Sequence, residues 1–206
     1  MSEKASCRPP SGAPRNAGET RKRILRAAKL LFAGNGYENV GTRAIADAAG
    51  INISLINRYF GSKKKLFAEV VSRLGRFSDT AGGSKERAFA AFDALLGGEP
   101  SALMMEEFRL ILFSALSPQV SDIIGNFLTE KRDEMTATIP GKHSKVKADL
   151  VFAMFMGVAL IFCMFPTGHD EHAEKEYARE YLQGMLDTFF ADEEADGGPS
   201  VSGGEL

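Results

Sequence analysis

From residue 20 to residue 74 the apolar positions recur at three- and four-residue spacing, the signature of short amphipathic helices. Ile24, Ala27, Ala28, Leu31 and Phe32 share one face of a helix predicted over 20–33, with Thr20 as its N-cap. "GNGY", residues 34–37, supplies a glycine for a left-handed helix end. Thr42 is expected to cap a short second helix carrying Ile45, Ala46 and Ala49, which Gly50 terminates. A third helix is predicted over 53–59, and Ser62 caps a fourth that bears Leu66, Phe67, Val70, Val71 and Leu74. "TAGGS", residues 80–84, is a break in composition. Longer apolar-periodic segments follow at 84–96, 101–115, 120–139, 145–165 and 171–190, separated by turns rich in Gly, Pro and Ser. The pattern predicts an all-α fold of about nine helices, with no period-two alternation and no internal repeat.

One of these segments, "LVFAMFMGVALIFCMF" at 150–165, has sixteen positions without a charge. A membrane span needs about 20 apolar residues. This run is shorter and is flanked by Asp149 and Pro166, so it reads as a helix buried on all sides, in a core or an interface. No membrane association is expected.

Charge divides the chain. Residues 19–76 hold 12 Lys and Arg against four Asp and Glu, whereas residues 77–206 hold 10 against 22. The basic part invites a polyanion and the acidic part does not, as in a DNA-binding head on a separate body. Residues 1–18 are rich in Pro, Gly and Ser with scattered basic side chains, and are expected to be a disordered basic arm with no signal peptide. Residues 191–206 read as a disordered acidic tail. Hydrophobic residues make up 44% of the chain, enough for a real core between those ends. The two cysteines, Cys7 in the arm and Cys163 in the apolar run, are not expected to pair, which fits a reducing cytoplasm.

Two short helices joined at Gly50 form a helix-turn-helix candidate. Ala46 is small where the helices cross, Gly50 frees the backbone at the turn, and Ile45, Ile51 and Ile56 fill the wedge between them. The stretch "TRKRILRAAKLLFAGNGYENVGTRAIADAAGINISLINRYFGSKKKLF" resembles the N-terminal domain of the TetR family of transcriptional regulators. The shared features are Ala28 to Phe32, Gly36-Tyr37, Thr42, Ile45-Ala46, Ala49-Gly50-Ile51, and Tyr59-Phe60 with Lys63 and Leu66. Asn57 stands where the family usually has Tyr, Tyr59 where it has His, Ser54 where a smaller residue or Pro is common, and Lys64 and Lys65 where acids are frequent. The resemblance implies a three-helix DNA-binding head over 19–66 and a helical effector-binding and dimerisation body over 67–190.

A recognition helix offers its N-terminal and outward residues to the major groove. In the third helix these are Asn52, Ile53, Ser54, Leu55, Asn57 and Arg58. Asn57 serves either a phosphate or, as amide side chains can, the edge of an adenine. Ile53 and Leu55 suit thymine methyl groups or a thinly covered local core. Thr42 and Lys63 sit at helix N-termini that favour anions, and the resemblance assigns both, with Tyr59, to phosphates; Arg43 is a further candidate. Lys64 and Lys65 either reach DNA or are merely solvated, and Arg8 and Arg15 either enter a minor groove or belong to an idle arm.

Nothing catalytic assembles in the body, so no enzyme activity and no cofactor is expected. His169 and His172 have a spacing that suits a metal, but they lie at an acidic helix start, and no metal is expected there. Met104, Met105, Phe108, Leu112, Phe127, Phe152, Phe155 and Met156 either pack a core or line an adaptable apolar pocket. Arg109 or Glu107, on the same helix as Phe108, offers a polar group to orient a ligand. By resemblance the last two helices pair across a two-fold axis, which predicts a homodimer on a near-palindromic double-stranded operator, released by a small apolar or amphipathic effector. A repressor is the first expectation; an activator or an effector-independent DNA-binding protein is the alternative.

Overall fold

The computed structural model describes residues 14–75, 84–96, 102–164 and 172–191. Among them are nine α-helices and no strand: α1 Pro14–Asn35, α2 Thr42–Ala49, α3 Ser54–Phe60, α4 Lys63–Val71, α5 Lys85–Leu96, α6 Ala102–Ala115, α7 Ser121–Thr136, α8 Ser144–Met164 and α9 His172–Phe190. The all-α expectation holds.

The first helix begins earlier than its apolar periodicity suggests. It starts at Pro14 rather than near Thr20, taking in the last residues of the segment expected to be a disordered arm. Proline suits a first helical turn, because its fixed φ is helical and its missing N–H would have no partner there. Thr42 is not the cap of α2 but its first helical residue. The N-cap is Gly41 in extended conformation, with no side-chain cap bond. Ser62 caps α4 as expected, its Oγ accepting from the Lys65 N–H at 3.1 Å.

α1 is the spine. It packs on α2 and α4 to build the head, and on α6 to join the body. In the head, Phe32, Tyr37 and Phe67 form a ring cluster with centroids 5.1 to 5.7 Å apart, wedged among buried Ile24, Ala28 and Leu66. Phe67 meets both other rings edge-on and Phe32 stacks on Tyr37; such pairs add about 0.5–1.5 kcal/mol each beyond the area they bury. Gly36, at φ +74°, reverses the chain after α1 so that Tyr37 returns to this cluster. In the body, α5 packs on α8 and α9, and α7 lies between α6 and α8.

α8, read from the sequence as buried in a core or an interface, is one-sided within a single chain. Ala148, Val151, Phe155 and Ala159 are buried on one face, but Val146, Leu150 and Ile161 are exposed, so within one chain this helix is covered on one side. No helix of the described residues is long and apolar enough to cross a membrane.

Candidate nucleic-acid interface

α2 and α3 are held by what they bury. Ile45, Ala46 and Ala49 of α2 and Ile56 and Phe60 of α3 face the core of the head. The chain turns between the helices at Gly50, with φ +61° and ψ +46°, a left-handed conformation that a Cβ disfavours. The Gly50 N–H donates to Asp47 O at 3.0 Å and the Ile51 N–H to Ala46 O at 3.0 Å, closing the end of α2. From α1, the Arg23 guanidinium donates to Ala49 O at 2.5 Å and Gly50 O at 3.1 Å. Arg23 thus ties the turn to the spine. Its sequence signal is weak, since its partners lie 26 and 27 residues away.

With Ile56 and Phe60 turned inward, Asn52, Ile53, Ser54, Asn57 and Arg58 are exposed, and Leu55 and Tyr59 are half-buried. Ile53 is 43% exposed, so it does not belong to a local core, while Leu55 is partly covered. Asn52 has a structural task as well: its Oδ1 accepts from the Ser54 N–H at 2.9 Å, closing the start of α3 in the way an Asx turn does. Arg58 stands in the last turn of α3.

Thr42, half-buried, and Arg43, exposed, lie in the first turn of α2; Lys63 opens α4. None of α2, α3 and α4 has an acidic residue in its first turn, so no first-turn carboxylate offsets the positive end of these helix dipoles. The Lys63 ammonium lies 4.0 Å from the centre of the Tyr37 ring. Partial burial there lowers the Lys63 pKa from its ordinary value, and the charge of Glu38 opposes that shift. Lys64 points to the body, pairing with Asp122 of α7 at 3.1 Å, while Lys65 stays exposed. Arg8 is outside the described residues, as is the side chain of Arg15.

Two further polar joins run between head and body, and neither is visible in the sequence. Lys29 of α1 pairs at 2.7 Å with Glu107 of α6, whose side chain is almost fully buried. Glu38 accepts from Ser117 Oγ at 2.5 Å and from Gln119 Nε2 at 2.6 Å. Glu107 is therefore turned to the head rather than to a ligand. Of the other candidates for effector contact, Met104, Phe108, Phe127 and Phe155 are buried, Met105, Leu112, Phe152 and Met156 are half-buried, and Arg109 is exposed. Phe155 packs edge-on to Phe92 of α5, with centroids 5.6 Å apart. His169 and the side chains of His172 and Cys163 lie outside the described residues.

Residues 24–70 match the model of the bacterial regulatory proteins of the tetR family. That span begins within α1, contains α2, the turn and α3, and ends near the end of α4, and it includes the candidate contacts from Thr42 to Lys63. Its head thus carries a TetR-type DNA-binding segment. It is 40% identical over 82 residues to the HTH-type transcriptional repressor KstR of Mycolicibacterium smegmatis, an alignment covering 40% of this chain and 36% of that protein. It is 47% identical over 58 residues to KstR of Mycobacterium tuberculosis, covering 28% of this chain and 25% of the relative. The chain thus spans between a quarter and about a third of the length of these curated relatives. The whole fold is similar to Salmonella enterica GusR, with a TM-score of 0.61 at 20% identity over 82% of this chain and 96% of that one. NalD, the secondary repressor of the MexAB-OprM efflux pump of Pseudomonas aeruginosa, gives 0.60 at 16% identity over 85% and 98%. So the head is recognised by sequence, whereas the body shares only its fold with these solved regulators.

Proposed function

We propose that this protein is a ligand-responsive transcriptional repressor of the TetR family that binds a near-palindromic operator as a homodimer through α8 and α9. The observation that carries this reading is the face of α3. Ser54, Asn57 and Arg58 of the seven-residue helix, with Asn52 and Ile53 just before it, are exposed, while Ile56 and Phe60 face inward. Thr42, Arg43 and Lys63 bracket that helix at two helix N-termini, the arrangement that seats a backbone while a recognition helix reads bases. Arg58 is suited to a guanine edge, Asn57 to an adenine edge or a phosphate, and Ile53 to a thymine methyl group. Tyr59 completes the phosphate contacts.

The exposed apolar side chains of α8 and α9, among them Leu150, Ile161, Tyr177, Tyr181 and Met185, support pairing of two copies through these helices. The effector-binding and dimerisation unit is residues 67–190, with Met104, Met105, Phe108, Leu112, Phe127, Phe152, Phe155 and Met156 around an apolar or amphipathic ligand and Arg109 at its edge. Such a ligand acts by binding more tightly to the form whose two heads no longer fit successive major grooves. The protein works in the cytoplasm and catalyses no reaction.

The test is selection of bound fragments from a pool of genomic DNA, repeated with Arg58→Ala and Lys63→Ala proteins. The expected result is an enriched near-palindrome that both variants bind more weakly. No enrichment by a folded dimer, or equal enrichment by both variants, sinks the reading.

A further inference from the structure

A groove of about 230 Å³ lies between α1 and α4, at the junction of head and body. Its floor is apolar, made of buried Leu25 and Val70, and four cations surround it: Lys22, Arg26, Lys29 and Arg73. Two of the four are matched by carboxylates, Lys29 by Glu107 at 2.7 Å and Arg73 by Glu69 at 2.9 Å. Lys22 and Arg26 have no ion-pair partner among the described residues. They stand one turn apart on α1, with Lys29 three residues beyond Arg26, so like charges line one helix face.

DNA is a poor occupant for this place. The interface described above lies at the N-terminus of α4, at Lys63. Val70 is seven residues further on, about 10 Å along the axis at 1.5 Å per residue. Lys29, on the groove's body side, is engaged by a residue of α6. The groove is smaller than the roughly 300–1,000 Å³ of sites for drug-sized ligands. It therefore suits one charged headgroup and a short apolar tail.

We infer that this groove is a second ligand site, for a small amphipathic anion whose carboxylate or phosphate is held by Lys22 and Arg26 and whose tail lies on Leu25 and Val70. The headgroup competes with Glu107 for Lys29. Occupancy therefore loosens the join between α1 and α6 and is read separately from any ligand in the interior of the body. The site stands without the operator reading, since its ligand can be measured in the absence of DNA.

Calorimetric titration of the full chain at constant ionic strength tests it, with octanoate, octyl phosphate, inorganic phosphate and neutral octanol as probes. One or both amphipathic anions bind, inorganic phosphate and octanol bind at least tenfold more weakly, and Lys22→Gln/Arg26→Gln lowers the anion affinity at least tenfold. Both substituted residues are exposed, so the variant keeps its helical circular dichroism. Glu107→Gln frees Lys29 and tightens binding several-fold. Preference for one of the two amphipathic probes assigns the headgroup as carboxylate or phosphate. The proposal is overturned if neither amphipathic anion binds, if the double variant binds both as the native chain does, or if inorganic phosphate binds as well as octyl phosphate. Loss of DNA affinity in the double variant with unchanged anion binding also overturns it, and makes the groove part of the nucleic-acid surface.

Discussion

In the head, Phe32, Tyr37 and Phe67 meet in one interior cluster, and the outward side of α3 is polar apart from Ile53. In the body, α8 and α9 bury Val151, Phe155, Leu182 and Leu186 but leave Leu150, Ile161, Tyr177 and Tyr181 uncovered, with Tyr177 67% exposed. The head spends most of its apolar side chains on a core that one chain completes. Among the described residues, the body leaves apolar surface uncovered. Where hydrophobic side chains are used up internally, the surface is free to carry charge for a polyanion. Where they are left over, the surface is left with apolar patches of the kind that mark contact sites.

That contrast breaks in ordered ways. Phe67→Ala removes a fully buried ring from the head and should cost about 3–5 kcal/mol; thermal unfolding should show this loss, and a change under about 1 kcal/mol would mean the ring cluster is not the core of the head. Leu150→Glu with Ile161→Glu places charge on the open face of α8 and should weaken self-association by about 2 kcal/mol or more per site if both are central to the interface. Sedimentation at micromolar concentration reads this out, and an unchanged dimer would move the interface elsewhere. Arg58→Ala should cost about 1–3 kcal/mol of operator affinity and relax preference at one base position. Ser62→Ala should remove about 1 kcal/mol of stability by uncapping α4. Lys63→Ala should lower affinity evenly across sequences and reduce the slope of log affinity against log salt by about 1; a change in base preference would instead make Lys63 a reader of sequence.

The parts of this architecture legible in the sequence were those built from near neighbours. The turn at Gly50, the Ser62 cap and the inward Ile45, Ala46 and Ile56 all depend on residues a few positions apart, and they stand where helical spacing put them. Pro14 was a readable signal too, but the Pro- and Gly-rich composition around it pointed to disorder. The Thr42 cap failed because Gly41 takes the extended cap conformation and leaves Thr42 inside the first turn. The joins of Arg23 to the α2 turn, Lys29 to Glu107 and Glu38 to Ser117 span 26 to 79 residues, and no local pattern specifies them. Pocket and core use the same Met and Phe at the same helical spacing. Their buried and half-buried positions on α6, α7 and α8 follow from packing between helices rather than from sequence order.

Glu38 follows the turn after α1, inside the matched family segment, yet both of its hydrogen-bond partners, Ser117 and Gln119, belong to the body. The head is consequently not an interchangeable part. A chimera that grafts residues 24–70 onto a foreign body strands the Glu38 carboxylate and the Lys29 ammonium together, while the reverse graft strands Glu107. Such exchanges should succeed only when the three body positions travel with the head, and as lineages diverge the two sets should drift as one.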